Sequence, residues 1–148
     1  MAALQIVVFY LNNDLYGVDS SIVKKIIKYQ AVTQIPEMPD YIEGVINLRG
    51  SVIPIINLNK RFGYGVKEVT KTTKIIIADL DSNAVGFVVD NITELSTFEE
   101  NDIEILPDVI KKAGNTYLKR VCKREDEIVS ILELDKILSE DELNKFKQ

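Results

Sequence analysis

Apolar residues occur in short blocks along the chain, and most blocks end at a polar turn. The first block, Leu4–Leu11, is rich in β-forming residues. The polar turn Asn12-Asn13-Asp14 follows it, and a second apolar segment, Leu15–Val18, comes after the turn. Short apolar runs bounded by Asn, Asp, Ser and Gly are typical of β-hairpins. Many short strands with polar turns favour small β-barrels over a sheet with crossover helices. Three more hairpins are predicted in the same way, over Val45–Leu48 with Val52–Leu58, Thr73–Leu80 with Ala84–Asp90, and Tyr117–Cys122 with Glu127–Leu134.

This pattern occurs twice in the chain. The stretch "VVFYLNNDLYGVDSSIVKKI" resembles "IIIADLDSNAVGFVVDNITEL", and Gly17 corresponds to Gly86, 69 residues later (86 − 17 = 69). Further on, "IINLNKRF" matches "ILELDKIL". Self-similarity at a fixed period indicates repeated structural units. We therefore predict a duplicated small β-barrel in a single domain over 1–148, with approximate halves 1–70 and 71–138. The pattern leaves open whether the two halves exchange segments.

The end of the chain differs from the rest. Ser139-Glu140-Asp141-Glu142 fits a capping box, in which a serine hydroxyl and an acid three residues later satisfy free backbone N–H groups. Leu143 and Phe146 follow at helical spacing. The sequence predicts a short C-terminal helix over 139–148.

Composition narrows the classes of function. Hydrophobic residues make up 46% of the chain and charged residues 28%, which allows a packed core. The net charge of −5 opposes general binding to nucleic acid or anionic membrane. The chain has no histidine, the side chain best suited to proton transfer near neutral pH. An enzyme that uses carboxylates, lysine or tyrosine is disfavoured but stays an alternative. The single cysteine, Cys122, cannot form an internal disulfide, and the sequence therefore predicts a location in the reducing cytoplasm.

Four local patterns can each be interpreted either as a functional site or as an ordinary structural feature. Asp79–Asn83 begins like a calcium loop, but the sixth position is Ala84 where an EF-hand needs glycine, so a hairpin turn is favoured. The acidic run Glu99–Glu104 is better explained as a solvated loop or helix start than as a catalytic pair. Cys122 has no neighbouring base, which favours a core thiol. The basic cluster Lys119, Arg120, Lys123 and Arg124 leaves an OB-like nucleic-acid binder as an alternative.

A single arginine interrupts the most apolar stretch, "EGVINLRGSVIPIINL". Arg49 lies between two apolar runs, at a turn, with no acid beside it. A turn does not require arginine, so Arg49 is either solvated or bound by a partner. Arginine is favoured at protein interfaces because its planar guanidinium makes several hydrogen bonds.

The same stretch, Gly44–Gly50 followed by Val52–Leu58, resembles the signature of the CheW family of chemotaxis coupling proteins. Three further blocks resemble the family in the same order: "YGVDSSIVKKI", "QIPEMPDYIEGV" and "VGFVVDNITEL". Together the four blocks cover the chain from about Ile6 to Leu138. Four blocks in order are far more specific than the short NLRG motif alone.

The resemblance implies a mainly β fold of two small five-stranded SH3/OB-like barrels with short helices. It implies an adaptor, or scaffold, rather than an enzyme, with no bound cofactor. Such an adaptor couples methyl-accepting chemoreceptors to the regulatory domain of a CheA-type histidine kinase without inserting into the membrane. An adaptor of another two-component pathway is the alternative within the family. The implied kinase- or receptor-binding residues are Arg49, Gly44, Gly50 and Lys25, and the implied apolar groove for the receptor tip contains Val23, Ile92 and Leu95.

One position departs from the family pattern. The family commonly has a glutamate where this chain has Lys25, and that acid is thought to pair with the arginine of the NLRG motif. Lys25 repels Arg49 if the two are close, by about 1 kcal/mol or less in solvent. The resemblance therefore predicts a compensating acid elsewhere on this protein or on its partner.

Overall fold

The computed structural model describes residues 3–107 and 117–137, and the helix predicted over 139–148 lies outside them. The described chain is mainly β, as predicted, with one short α-helix and three 3₁₀ turns. Within it, no helix is long and apolar enough to cross a membrane. The elements are β1 (Leu4–Leu11), β2 (Asp14–Asp19), β3 (Val23–Lys28), β4 (Ile42–Leu48), β5 (Ser51–Asn57), α1 (Leu58–Arg61), β6 (Lys74–Leu80), β7 (Asn83–Val89), β8 (Asn91–Phe98), β9 (Ile103–Ile105), β10 (Leu118–Arg124) and β11 (Glu127–Leu132), with 3₁₀ turns at Ser20–Ile22, Glu100–Asp102 and Leu134–Lys136.

All four predicted hairpins are present, as β1–β2, β4–β5, β6–β7 and β10–β11. Two-residue hairpin loops require positive φ at both positions when the turn is of type I′, which matches the twist of the strands. Asn12 and Asn13 have φ of 51° and 69°, and Asp81 and Ser82 have φ of 50° and 68°. Short polar side chains tolerate this left-handed backbone better than most. The turn interpretation of Asp79–Asn83 is thus confirmed.

The strands form two sheets with closely related order. One has the order β3-β6-β7-β5-β4, and the other has the order β8-β1-β2-β11-β10-β9. The repeat relates the β1–β2 hairpin to β6–β7, the β10–β11 hairpin to β4–β5, and β8 to β3. With these correspondences, the order of the five strands is the same in both sheets. β9 is an additional strand on β10, so the second sheet has six strands rather than the expected five. In the described residues each sheet keeps two edge strands, and neither hydrogen-bonded ladder closes into a complete barrel.

The chain divides into two compact units, and each draws strands from both approximate halves. Unit 1 contains the described residues of 1–9, 15–21 and 93–148, and unit 2 contains 10–14 and 22–92. The β1–β2 hairpin therefore belongs with the strands that follow residue 93, whereas the β6–β7 hairpin belongs with β3, β4 and β5. In each unit a parallel pair joins the two parts: β2 with β11, and β7 with β5. The sequence left this exchange open.

Repeat-related glycines lie at the two parallel pairs. Gly17 is opposite Ile131 in unit 1, and Gly86 is opposite Ile55 in unit 2. A Cβ on Gly17 would overlap the Ile6 side chain, and a Cβ on Gly86 would lie 2.6 Å from Ile55 Cδ1. The absence of a side chain thus lets apolar neighbours pack onto the backbone in both units. Clusters of buried residues in the two units include Ile6, Val8, Phe98, Cys122, Val129 and Ile131 in unit 1, and Ile46, Ile53, Ile55, Ile75, Ile77 and Val88 in unit 2.

Candidate functional site

The turn between β4 and β5 consists of Arg49 and Gly50. Leu48 pairs with Ser51, and the two turn residues have φ of 52° and 84°. The side chain of Asn47 stabilises the turn, because its Oδ1 accepts a hydrogen bond of 2.9 Å from the backbone N–H of Gly50. The turn thus holds the Arg49 side chain outside both strands, where it is exposed.

Arginine is an unfavourable choice for this backbone. A non-glycine residue in the left-handed region pays roughly 1–2 kcal/mol, and Asn or Gly pays least. The other two turns with paired positive φ use Asn12-Asn13 and Asp81-Ser82. Within the described chain, Arg49 makes no ion pair and no side-chain hydrogen bond that would offset the cost. Its residue type is therefore not explained by the folded chain itself.

Arg49 lies at the rim of a depression of about 190 Å³ in unit 2. Both edge strands of the five-stranded sheet contribute to it, Lys25 from β3 and Leu48 from β4, so the sheet curls and its edges approach each other at this end. The structure thus brings Lys25 and Arg49 to one site. We call this site the cationic pocket; its lining residues are Lys24, Lys25, Leu48, Arg49, Ser51, Ile53, Ile77 and Ala84.

Three cations and no acid line the cationic pocket. Its floor is apolar, with Ile53 and Ile77 drawn from the core of unit 2. Asp79 is two residues beyond Ile77 on β6, and it forms no ion pair with the three cations. In a chain with a net charge of −5, this is a local excess of positive charge on the described surface.

Sequence reasoning missed Lys24 and the floor of the pocket. Alternation along a strand normally sends adjacent side chains to opposite faces. Lys24 and Lys25 nevertheless line the same pocket, and the pairing of β3 with β6 shifts register between Val23 and Lys25. Such a bulge has no signature in this sequence, so only the strand pairing reveals the second lysine.

Gly44 and Gly50 have different surroundings. Gly50 is in the turn and has open space around its Cα. Gly44 is buried on β4 at φ 142°, and a Cβ there would overlap the carbonyl of Thr33. Thr33 pairs with Val45 through two backbone hydrogen bonds of 2.8 and 2.9 Å. Gly44 thus admits a second backbone segment, and its part in partner binding stays a prediction.

The three apolar residues assigned to a receptor groove have unequal exposure. Val23 on β3 and Ile92 on β8 are half-buried and belong to unit 2. Leu95 on β8 belongs to unit 1 and is 61% exposed. An exposed leucine on an outer strand is compatible with binding another protein. The groove itself stays a prediction.

The basic cluster that suggested nucleic acid is largely neutralised by acids within unit 1. Arg120 pairs with Glu133 at 3.3 Å, and Lys123 pairs with Glu104 at 2.6 Å. Arg124 donates two hydrogen bonds to Glu94, of 2.9 and 3.0 Å. These bonds hold the pKa of the Glu94 carboxyl below its ordinary value. Cations that are already paired have less to offer phosphate groups, which argues against the nucleic-acid alternative.

The acidic run and the cysteine have structural surroundings. Glu99 and Asp102 form a reciprocal capping box around the 3₁₀ turn Glu100–Asp102, which confirms a loop or helix start. Cys122 is fully buried in the core of unit 1, and burial raises the pKa of its thiol. A buried thiol with a raised pKa is a poor nucleophile.

A partly buried polar network that the sequence did not predict supports β4 and α1 in unit 2. Glu43 accepts hydrogen bonds from the Tyr29 hydroxyl (2.9 Å) and from the Asn57 amide (2.6 Å). Asn59 donates to Asp90 at 2.7 Å. Burial, and then the contact with Glu43, raises the pKa of Tyr29 to about 12. Asn57 also caps α1 by accepting from the backbone N–H of Lys60, so this network holds the end of β5 in place.

Comparison with known proteins identifies the family. The profile of the CheW-like domain matches residues 5–142. The chain is 35% identical to chemotaxis protein CheW of Treponema pallidum over 147 residues, covering 95% of this chain and 85% of the relative. It is 34% identical to chemotaxis protein CheW of Bacillus subtilis over 137 residues, covering 93% and 88%. The crystal structure of the scaffolding protein TtCheW from Thermoanaerobacter tengcongensis superimposes with a TM-score of 0.83 at 37% identity, covering 92% of each chain. This chain therefore belongs to the family of CheW-like domains.

Proposed function

We propose that this protein is a chemotaxis scaffold that couples chemoreceptors to a CheA-type histidine kinase through non-covalent contacts in the cytoplasm. Membership of the CheW-like family and the names of the relatives, chemotaxis protein and scaffolding protein, support this function. The protein acts by holding its partners in a fixed geometry. Contacts that are weak one at a time suffice in such an assembly, because each tethered partner raises the effective concentration of the next.

The observation that carries the proposal is the position of Arg49. An unpaired, exposed arginine in an unfavourable backbone conformation, at the rim of a pocket with an apolar floor, is better suited to a partner than to the folded chain. Arginine is enriched among residues that dominate binding energy at interfaces. We assign Arg49 to the surface that binds the regulatory domain of the kinase, and Val23, Ile92 and Leu95 to binding of the receptor tip.

The test is a calorimetric titration of the protein against the regulatory domain of the CheA-type kinase from the same organism. We expect a Kd that is micromolar or tighter for the wild type. The variant Arg49→Asn removes the guanidinium but keeps a residue that the left-handed turn accepts. We expect it to weaken binding by at least fivefold while raising the free energy of unfolding by about 0.5–1 kcal/mol.

This pair of effects separates binding from folding. A variant that is more stable and yet binds less well cannot be explained by damage to the fold. Unchanged binding by Arg49→Asn would move the arginine away from the kinase surface. Absence of wild-type binding to both the kinase domain and the receptor tip would contradict the chemotaxis assignment and favour an adaptor of another two-component pathway.

A further inference from the structure

The cationic pocket has a charge and a shape that specify what fills it. Lys24, Lys25 and Arg49 contribute three positive charges, and none has an acid partner within the described chain. In unit 1, by contrast, the clustered cations Arg120, Lys123 and Arg124 are all paired with glutamates. Mutual repulsion among three unpaired cations disfavours the free protein slightly, and an acid from outside would relieve it.

The floor of the pocket adds a second requirement. The apolar lining residues are Leu48, Ile53, Ile77 and Ala84, of which Ile53 and Ile77 are buried. The volume of about 190 Å³ is below the roughly 300–1,000 Å³ typical of small-molecule sites. It is suited to an apolar side chain rather than to a cofactor or to a whole helix. Apolar anchors that fill a pocket inside a polar rim are typical of the residues that dominate protein interfaces.

We propose that the cationic pocket binds an element of the kinase regulatory domain in which an acidic side chain stands next to an apolar one. The apolar side chain occupies the floor, and the acid pairs with Lys25 and Arg49 at the rim. This inference rests on the proposed function and extends it, because it states the chemistry that the partner must present. The partner's acid supplies an ion pair that Lys25 and Arg49 do not form with any acid of the described residues.

The main test uses two charge reversals on the same strand. Lys25→Glu changes the pocket, whereas Lys28→Glu makes the same change in net charge at an exposed position of β3 that does not line it. Both are titrated calorimetrically against the kinase regulatory domain at two salt concentrations, after circular dichroism has shown that they are folded. We expect Lys25→Glu to weaken binding at least fivefold and to reduce its salt dependence, and Lys28→Glu to stay within twofold of the wild type.

A third variant tests the floor without altering charge. Ala84→Leu reduces the volume available to an apolar anchor, and we expect it to weaken binding at least threefold with unchanged salt dependence. An acid-to-lysine change in the kinase domain that restores binding to Lys25→Glu would identify the paired acid directly.

The outcomes separate this inference from the proposed function. Wild-type binding that is unaffected or tightened by Lys25→Glu overturns the inference and leaves the scaffold function intact. Equal weakening by Lys25→Glu and Lys28→Glu also overturns it, since a general charge effect would then explain the data. If the wild type binds neither the kinase domain nor the receptor tip, the proposed function fails and the inference fails with it.

Discussion

At the scale of single residues, Arg49 shows how conformation adds to what residue type suggests. The sequence singled it out because no acid stands beside it, and the structure adds that its backbone is left-handed. Neither observation alone points to a partner, since exposed arginines are common. Together with the pocket beside Arg49, the two observations favour a partner as the reason for an arginine at this turn, because contacts within the described chain do not explain it.

Tyr29 gives a prediction about pH. The pKa of its hydroxyl is raised to about 12, above the ordinary value of 10 for tyrosine. Between pH 10 and pH 12 the unfolded chain therefore releases this proton while the folded protein retains it, so stability falls as the pH rises. We expect the free energy of unfolding to decline more steeply in the wild type than in Tyr29→Phe across this window. Denaturant titrations of both proteins at intervals from pH 8 to pH 12 measure this, and equal slopes would contradict it.

At the scale of elements, the hairpins were predictable, and the strands outside the hairpins, β3, β8 and β9, were not. The four hairpins follow from local alternation and turn residues, which act over a few positions. The sequence analysis did not predict β3 and β8 as strands, and each of them lies at the edge of its sheet, paired on one side only. In β3 the pairing with β6 also shifts register between Val23 and Lys25. Such strands are defined by the neighbour that pairs with them.

Gly86 gives a prediction about packing between elements. Its Cα faces three isoleucines, and a Cβ would lie 2.6 Å from Cδ1 of Ile55 and 2.9 Å from Cγ2 of Ile75. We expect Gly86→Ala to lower the free energy of unfolding by about 1–3 kcal/mol through overpacking. Ile55→Val removes the atom that is closest, so the double variant should be more stable than the sum of the two single effects predicts.

The corresponding glycine of the other unit, Gly17, provides a matched control for this comparison of single and double variants. The nearest obstacle to a Cβ on Gly17 is Cγ2 of Ile6, a methyl group that valine retains. The pair Gly17→Ala and Ile6→Val should therefore be additive, whereas the pair at Gly86 and Ile55 should not. Thermal and denaturant unfolding of the six variants measures both cycles. Additivity in both would show that the contact at Ile55 Cδ1 does not limit packing.

At the scale of the whole molecule, exchange of hairpins is the main feature that local patterns could not show. Unit 2 takes β3, β4 and β5 from before residue 70, and β6 and β7 from after it. The parallel pair β5 with β7 closes this combination, with Ile55 opposite Gly86. Parallel pairing depends on residues far apart in the chain, so no short window of sequence contains it.

This exchange predicts that neither half of the chain folds alone. A fragment of residues 1–70 keeps β3, β4 and β5 but lacks the β6–β7 hairpin that completes their sheet. We expect fragments 1–70 and 71–148 each to lack a cooperative thermal transition by circular dichroism. Mixing them should restore part of the signal of the intact protein. A cooperative transition in fragment 1–70 by itself would show that the hairpin is not needed to complete unit 2.

The sequence by itself determined the four hairpins, because turn chemistry and alternation depend on neighbouring residues. It also indicated the duplication, through its internal repeat, and identified Arg49 as a candidate binding residue. Its resemblance to the CheW family also predicted the family, and the comparisons confirm it. Only the tertiary structure decided which hairpin completes which unit, and that Lys24 joins Lys25 and Arg49 around one apolar floor. The pocket needs strands from β3 to β7 curled around one core, and such an arrangement depends on contacts between residues far apart in the sequence.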